Sequence, residues 1–184
     1  MRRSNDISES HSEHGGGKFL PALCSVLGTL ILVSVILVCI PVTVPKLMGY
    51  ELYDIVSGSM EPEIPVGSVV YVKEAAPEEV QEGDVIAFWR SAPAEGTEEG
   101  AVVVHRVVTN QIVEGWFETK GDANTDVDMN KVPYDDLIGC VTYHIPFLGG
   151  LMGVLGSTVG KLYVICFAAC GAMLNMLAGR MRRG

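Results

Sequence analysis

Residues 19–45 carry no charged side chain. A run of that length exceeds the roughly 20 apolar residues that span a bilayer core. It is also too long for the apolar region of a secretory leader, and it lacks a small-x-small exit. The pattern predicts an uncleaved transmembrane helix over 19–42, with Pro41 and Pro45 marking its far end. A second apolar stretch lies near the C-terminus. Residues 145–160 are uncharged and glycine-rich, Lys161 interrupts them, and 162–179 continue without charge. This predicts a second span over 162–179, with Lys161 snorkelling toward the outer interface. Residues 145–161 would then span, dip into or lie on the membrane; one continuous long helix is the alternative.

Between these stretches the period changes. Residues 48–56 lead into the serine-rich turn Ser57-Gly58-Ser59-Met60-Glu61-Pro62. Gly67-Ser68-Val69-Val70-Tyr71-Val72, behind a Pro-Val-Gly turn, has the β-branched and aromatic content of a strand. Residues 74–82 are acidic and proline-containing and read as a solvated loop. Strands are predicted over 85–89, 101–108, 112–120 and 137–144, the second being the strongest. Residues 91–100 read as a polar hairpin loop, and 121–133 as a loop rich in Asp and Asn. Short strands at this spacing, without amphipathic helices between them, predict an antiparallel β domain over 47–144.

Composition sharpens this picture. The hydrophobic fraction of 48% and mean hydropathy of +0.32 are high for a soluble protein of 184 residues. The formal charge of −9 is unevenly placed: residues 47–144 hold nineteen acidic and five basic side chains, whereas the flanks hold three acidic and eight basic. An acidic central domain does not suit nucleic-acid binding, which needs a basic face. Residues 1–18 read as a polar, disordered tail, with His11 and His14 solvated, and 180–184 as a basic one. Bases outside both spans place the two termini in the cytoplasm and the acidic domain on the extracytoplasmic face.

Cys24, Cys39, Cys166 and Cys170 sit inside apolar runs, and Cys140 stands alone in the central segment. No intradomain disulfide is available, and no metal or other cofactor is indicated. Candidate chemistry falls elsewhere. A Ser-Gly-Ser turn can present a hydroxyl where a substrate backbone approaches, because glycine adds no Cβ; the plainer reading is a serine-rich loop. His105 lies in the strongest strand, where a histidine can act as a base near neutral pH or simply bond to backbone. Asp122, Asp126 and Asp128 cluster in the loop that follows. A carboxylate there could orient the imidazole. The same loop loosely matches a calcium-binding pattern but lacks its sixth-position glycine and twelfth-position glutamate.

Taken in order, Ser57-Gly58-Ser59-Met60-Glu61-Pro62, Gly83-Asp84-Val85-Ile86, Val104-His105-Arg106-Val107, Thr119-Lys120-Gly121-Asp122-Ala123-Asn124 and Asp128 resemble the boxes of type I signal peptidases. They are similar to the endoplasmic-reticulum and archaeal subtype, found in Gram-positive bacteria as SipW-like enzymes, over about residues 47–150. Lys73, Lys120 and Lys131 match no lysine box of the usual bacterial subtype. The resemblance implies an antiparallel β catalytic domain of signal-peptidase type flanked by two transmembrane helices. It implies Ser59 as nucleophile, His105 as general base and Asp128 as the acid, with Asp122 supporting and Asp126 an alternative acid. The Ser57 hydroxyl and the Ser59 backbone N–H become candidates for an oxyanion hole.

The implied reaction is cleavage of N-terminal signal peptides after a small residue, with preproteins, membrane lipid and the secretion translocon as partners. Two other classes compete with it. A non-catalytic membrane adaptor presenting an acidic β domain would be expected to have lost the serine or histidine, and both are kept. A self-cleaving regulator would require a DNA-binding segment, which the sequence does not contain.

Overall fold

The computed structural model describes residues 16–90 and 100–183. They fall into two units, residues 16–37 with 162–183, and residues 38–90 with 100–161. The predicted hairpin loop lies almost wholly outside the described residues, as does most of the N-terminal tail.

The first unit is helical, formed by the larger part of α1 (Gly16–Leu47) and of α3 (Thr158–Met181). Residues Phe19–Leu47 and Thr158–Met181 are long and apolar enough to cross a membrane. The two helices approach at Gly28, where an added Cβ would stand 2.7 Å from the Gly171 carbonyl oxygen. Small residues permit this backbone approach, as in many helix pairs in lipid. The next residue, Thr29, donates through Oγ1 to Asn175 Oδ1, one turn beyond Gly171, at 3.4 Å.

The second unit is an antiparallel sheet with seven strands among the described residues. They are β1 (Tyr50–Asp54), β2 (Val69–Lys73), β3 (Val85–Trp89), β4 (Val102–Gln111), β5 (Trp116–Lys120), β6 (Val132–Pro133) and β7 (Leu137–Ile145). Their order is β1-β2-β7-β3-β4-β5-β6. Both faces of the central strands are covered. On β3, Ile86 and Phe88 join a cluster with Val107, Phe117 and Val132, while Val85 and Ala87 join another with Met60, Ile64, Val70 and Val104. Double coverage explains why these strands read as unbroken apolar runs rather than as an alternation.

The predicted mainly-β architecture with an apolar helix toward each end is borne out, and several boundaries are corrected. β1 was not foreseen as a strand, because Glu51 and Asp54 break its apolar pattern at an exposed sheet edge. The run predicted from 112 begins as a turn, since β4 continues to Gln111 and β5 starts at Trp116. β6 adds a short strand at the end of the predicted 121–133 loop.

α1 does not stop at Val42; it runs through Pro41 and Pro45 to Leu47. Proline at position 45 has no N–H to give the carbonyl four residues earlier. Tyr71 Oη donates instead to that Pro41 carbonyl at 2.8 Å. A buried strand residue thus supplies the hydrogen bond that the helix lacks. Tyr71→Phe is expected to lower the stability of the full chain by about 1 kcal/mol, the usual net worth of such a bond. Denaturant unfolding in detergent measures it, and an unchanged midpoint would contradict it.

The continuous-helix alternative for the C-terminal stretch is overturned. α2 (Gly149–Gly156) ends at Ser157, whose backbone is extended. Ser157 Oγ donates to the Val154 carbonyl at 2.7 Å and accepts from the Gly160 N–H at 3.0 Å. One serine therefore ends α2 and caps α3, a residue type suited to that position. α3 starts at Thr158, four residues before the predicted 162, and takes in Lys161. Leu148 and Met152 pack against Leu52, Val69 and Tyr71, so the 145–161 stretch covers part of the sheet.

Candidate active site

The serine turn is held from both sides by its own sequence. Met60 and Ile64, 1% and 2% exposed, insert into the cluster of Ile55, Val70, Val72, Ala87 and Val104. The Ile64 N–H bonds to the Met60 carbonyl, and the Ile55–Gly67 and Ile55–Ser68 backbone pairs close the loop at its base. Between these anchors Ser59 is half-buried and Ser57 exposed. Their hydroxyl oxygens stand 3.3 Å apart. A Cβ on Gly58 would meet the Glu61 side chain at an ordinary 3.5 Å, so packing within the chain does not itself require glycine there.

Residues 121–124 meet Ser59 from the other side. The Ala123 N–H donates to the Ser59 carbonyl at 2.9 Å, and a Cβ on Gly121 would lie 2.6 Å from the same oxygen. In the β4–β5 ladder Arg106 faces Lys120 and Val107 faces Thr119. Continuing that register brings Gly121 opposite His105. The backbone of Ser59 therefore rests on the sheet position beside the histidine.

His105, 6% exposed, lies at the centre of β4 with Phe88 edge-on to its ring at 6.3 Å. Its Nδ1 is 2.5 Å from Asp128 Oδ2. The same oxygen accepts from Thr119 Oγ1 at 2.6 Å, and the Asp128 N–H donates to the Thr119 carbonyl at 2.8 Å. Burial pushes the Asp128 carboxyl up. The His105 and Thr119 hydrogen bonds, with the charges of His105 and Arg90, outweigh it and hold the carboxyl below its ordinary range. An ionised carboxylate on Nδ1 leaves Nε2 as the nitrogen able to take a proton. Ser59 Oγ and His105 are not hydrogen-bonded to one another; such contacts commonly tighten on substrate binding.

The three aspartates separate. Asp122 takes a two-pronged bond from Arg106, Nε to Oδ1 at 2.8 Å and Nη2 to Oδ2 at 2.6 Å. Arg106 Nη1 also donates to the Gly83 carbonyl at 2.8 Å, tying the loop to the start of β3. Asp126 is exposed and takes no part in the hydrogen bond between His105 and Asp128. Asp122 and Asp128 are thus each committed to a side-chain partner, unlike the free oxygens of a calcium loop. Reading the sequence passed over the parts played by Thr119, Gly121 and Arg106. A signal was available for Thr119: it shares the inward phase of Phe117 on β5, and a hydroxyl at a buried strand position needs a partner.

No protein-family model matches the chain. Signal peptidase I W of Bacillus subtilis is 42% identical to it over 91 residues, 48% of this chain and 44% of the relative. The chain thus spans less than half the length of that curated relative. The match bears out the resemblance to SipW-like signal peptidases read from the motifs.

Proposed function

We propose that this chain is a membrane-bound serine endopeptidase that removes N-terminal signal peptides from exported preproteins. The observation that carries the reading is the contact of buried His105 with partly buried Asp128 at 2.5 Å, beside a sheet position on which the backbone of Ser59 is fixed. The likeness to a protein named signal peptidase supports the substrate class.

In this reading Ser59 Oγ attacks the scissile carbonyl while His105 Nε2 takes its proton. Asp128 orients the ring and balances the imidazolium charge. The Ser59 N–H and the Ser57 hydroxyl donate to the oxyanion, and each such donor commonly contributes about 3 kcal/mol. Collapse expels the new N-terminal amine, which receives the proton from His105. Water, deprotonated by the same imidazole, then cleaves the acyl-serine ester and releases the signal peptide. Asp122 acts through Arg106 by holding residues 121–124 in place.

The substrate lies extended against a strand edge, bound through main-chain hydrogen bonds. Shallow pockets beside the serine turn, where Val56 and Val66 are exposed, admit a small residue before the cut and another two positions earlier. Both apolar helices cross the membrane, with the termini cytoplasmic and the β domain outside, where a translocated cleavage site emerges beside lipid and translocon. Processing of a co-expressed reporter, with host peptidases excluded, tests this. Cleavage is expected after Ala or Gly and to be lost when Leu or Phe replaces it. Equal cleavage of both reporters, or of neither, would overturn the proposal.

A further inference from the structure

Asp128 Oδ2 carries more than the histidine. Thr119 is fully buried, and its hydroxyl points at the same carboxylate oxygen that faces His105 Nδ1. The backbone of Asp128 is bonded to the backbone of Thr119 as well, so one residue of β5 grips the acid at two points. Thr119 faces Val107 across the ladder, two residues along β4 from His105, and it shares the face of the sheet that His105 occupies. The acid comes from a loop with exposed residues on either side, Val127 and Met129. Nothing on its own element holds its rotamer.

We infer that Thr119 is a positioning residue of the reaction: its hydroxyl, donated to Asp128 Oδ2, fixes the carboxylate against His105 Nδ1. The inference rests on the proposed Ser59–His105–Asp128 site and adds a fourth member to it. That oxygen accepts two donors at once, and a wandering loop carboxylate would leave the imidazole in variable orientation. A hydrogen bond to a charged group is typically worth enough to change an equilibrium by about tenfold or more.

The test compares Thr119→Val with Thr119→Ser in the full chain in detergent, by steady-state cleavage of a preprotein. Valine keeps the shape and removes the hydroxyl; serine keeps the hydroxyl and leaves a small cavity. Thr119→Val is expected to lower kcat about tenfold or more with KM within about twofold, and Thr119→Ser to restore most of kcat. In an Asp128→Asn background, Thr119→Val should cost nothing further, as expected of two residues acting as one unit. A structural role would give the reverse order, with serine the worse variant and melting temperature tracking the loss, and would overturn the inference. So would wild-type kcat in Thr119→Val. Undiminished cleavage by Ser59→Ala in the same assay would instead refute the proposed site itself, so the two failures are distinguishable.

Discussion

Asp128→Asn is expected to lower kcat by about 10³–10⁴-fold with little change in KM, the scale seen when the acid of a serine triad becomes an amide. The reason lies in the proton inventory around one oxygen. Asp128 Oδ2 accepts from both Thr119 Oγ1 and His105 Nδ1. An asparagine has one accepting oxygen and one donating amide. If the oxygen stays with Thr119, the amide or an emptied position faces Nδ1. The ring then carries its proton on Nε2, where it cannot accept the one from Ser59. Asp126→Asn serves as the control. Asp126 is exposed and apart from this network, and its amide should leave kcat within about twofold, as surface substitutions usually do. Steady-state processing of a purified preprotein separates the two. Loss in Asp126→Asn with activity kept in Asp128→Asn would move the acid to the other aspartate.

Gly121→Ala is expected to reduce kcat/KM by about 100-fold, the consequence of displacing a reacting group by roughly an ångström. A methyl at this position would stand 2.6 Å from the Ser59 carbonyl oxygen and 2.8 Å from Asn124 Nδ2. The first of these is backbone and cannot swing aside as a side-chain end would. Either the 121–124 loop lifts from the serine turn or Ser59 shifts away from its place, and both move the hydroxyl relative to His105. Met60 and Ile64 remain buried in the core, so the fold should persist. Kinetics paired with a melting curve tests this. Wild-type activity in Gly121→Ala would show that the Ser59 backbone is free to adjust.

Part of this molecule is legible directly in its sequence. Ser59 and His105 stood out as candidates through residue type and the order of the motifs along the chain, with Asp128 and Asp126 both open as the acid, and the β class through short apolar runs broken by turns. What escaped depended on contacts across long stretches of sequence. Tyr71 satisfies a carbonyl thirty residues away, so Pro45 looked like a helix end when it was not one. β1 has acidic residues at an edge, where one side of the strand meets solvent, and its apolar content is correspondingly thin. The proposal of Asp128 over Asp126 rests on which carboxylate meets His105 and a buried threonine on a neighbouring strand. Spacing alone gives no view of that. The place of Gly121 under the Ser59 carbonyl is likewise set only by the fold, some sixty residues separating the two.

The central claim is that Ser59 is the attacking group of a signal-peptide endopeptidase. The most direct measurement is mass spectrometry of a purified preprotein incubated in detergent or lipid with the wild-type chain and, in parallel, with Ser59→Ala. The wild type should release a mature protein beginning one residue after a small side chain. Ser59→Ala, folded and equal in amount, should leave the preprotein intact over the same interval. The same product formed at the same rate by Ser59→Ala would contradict the account.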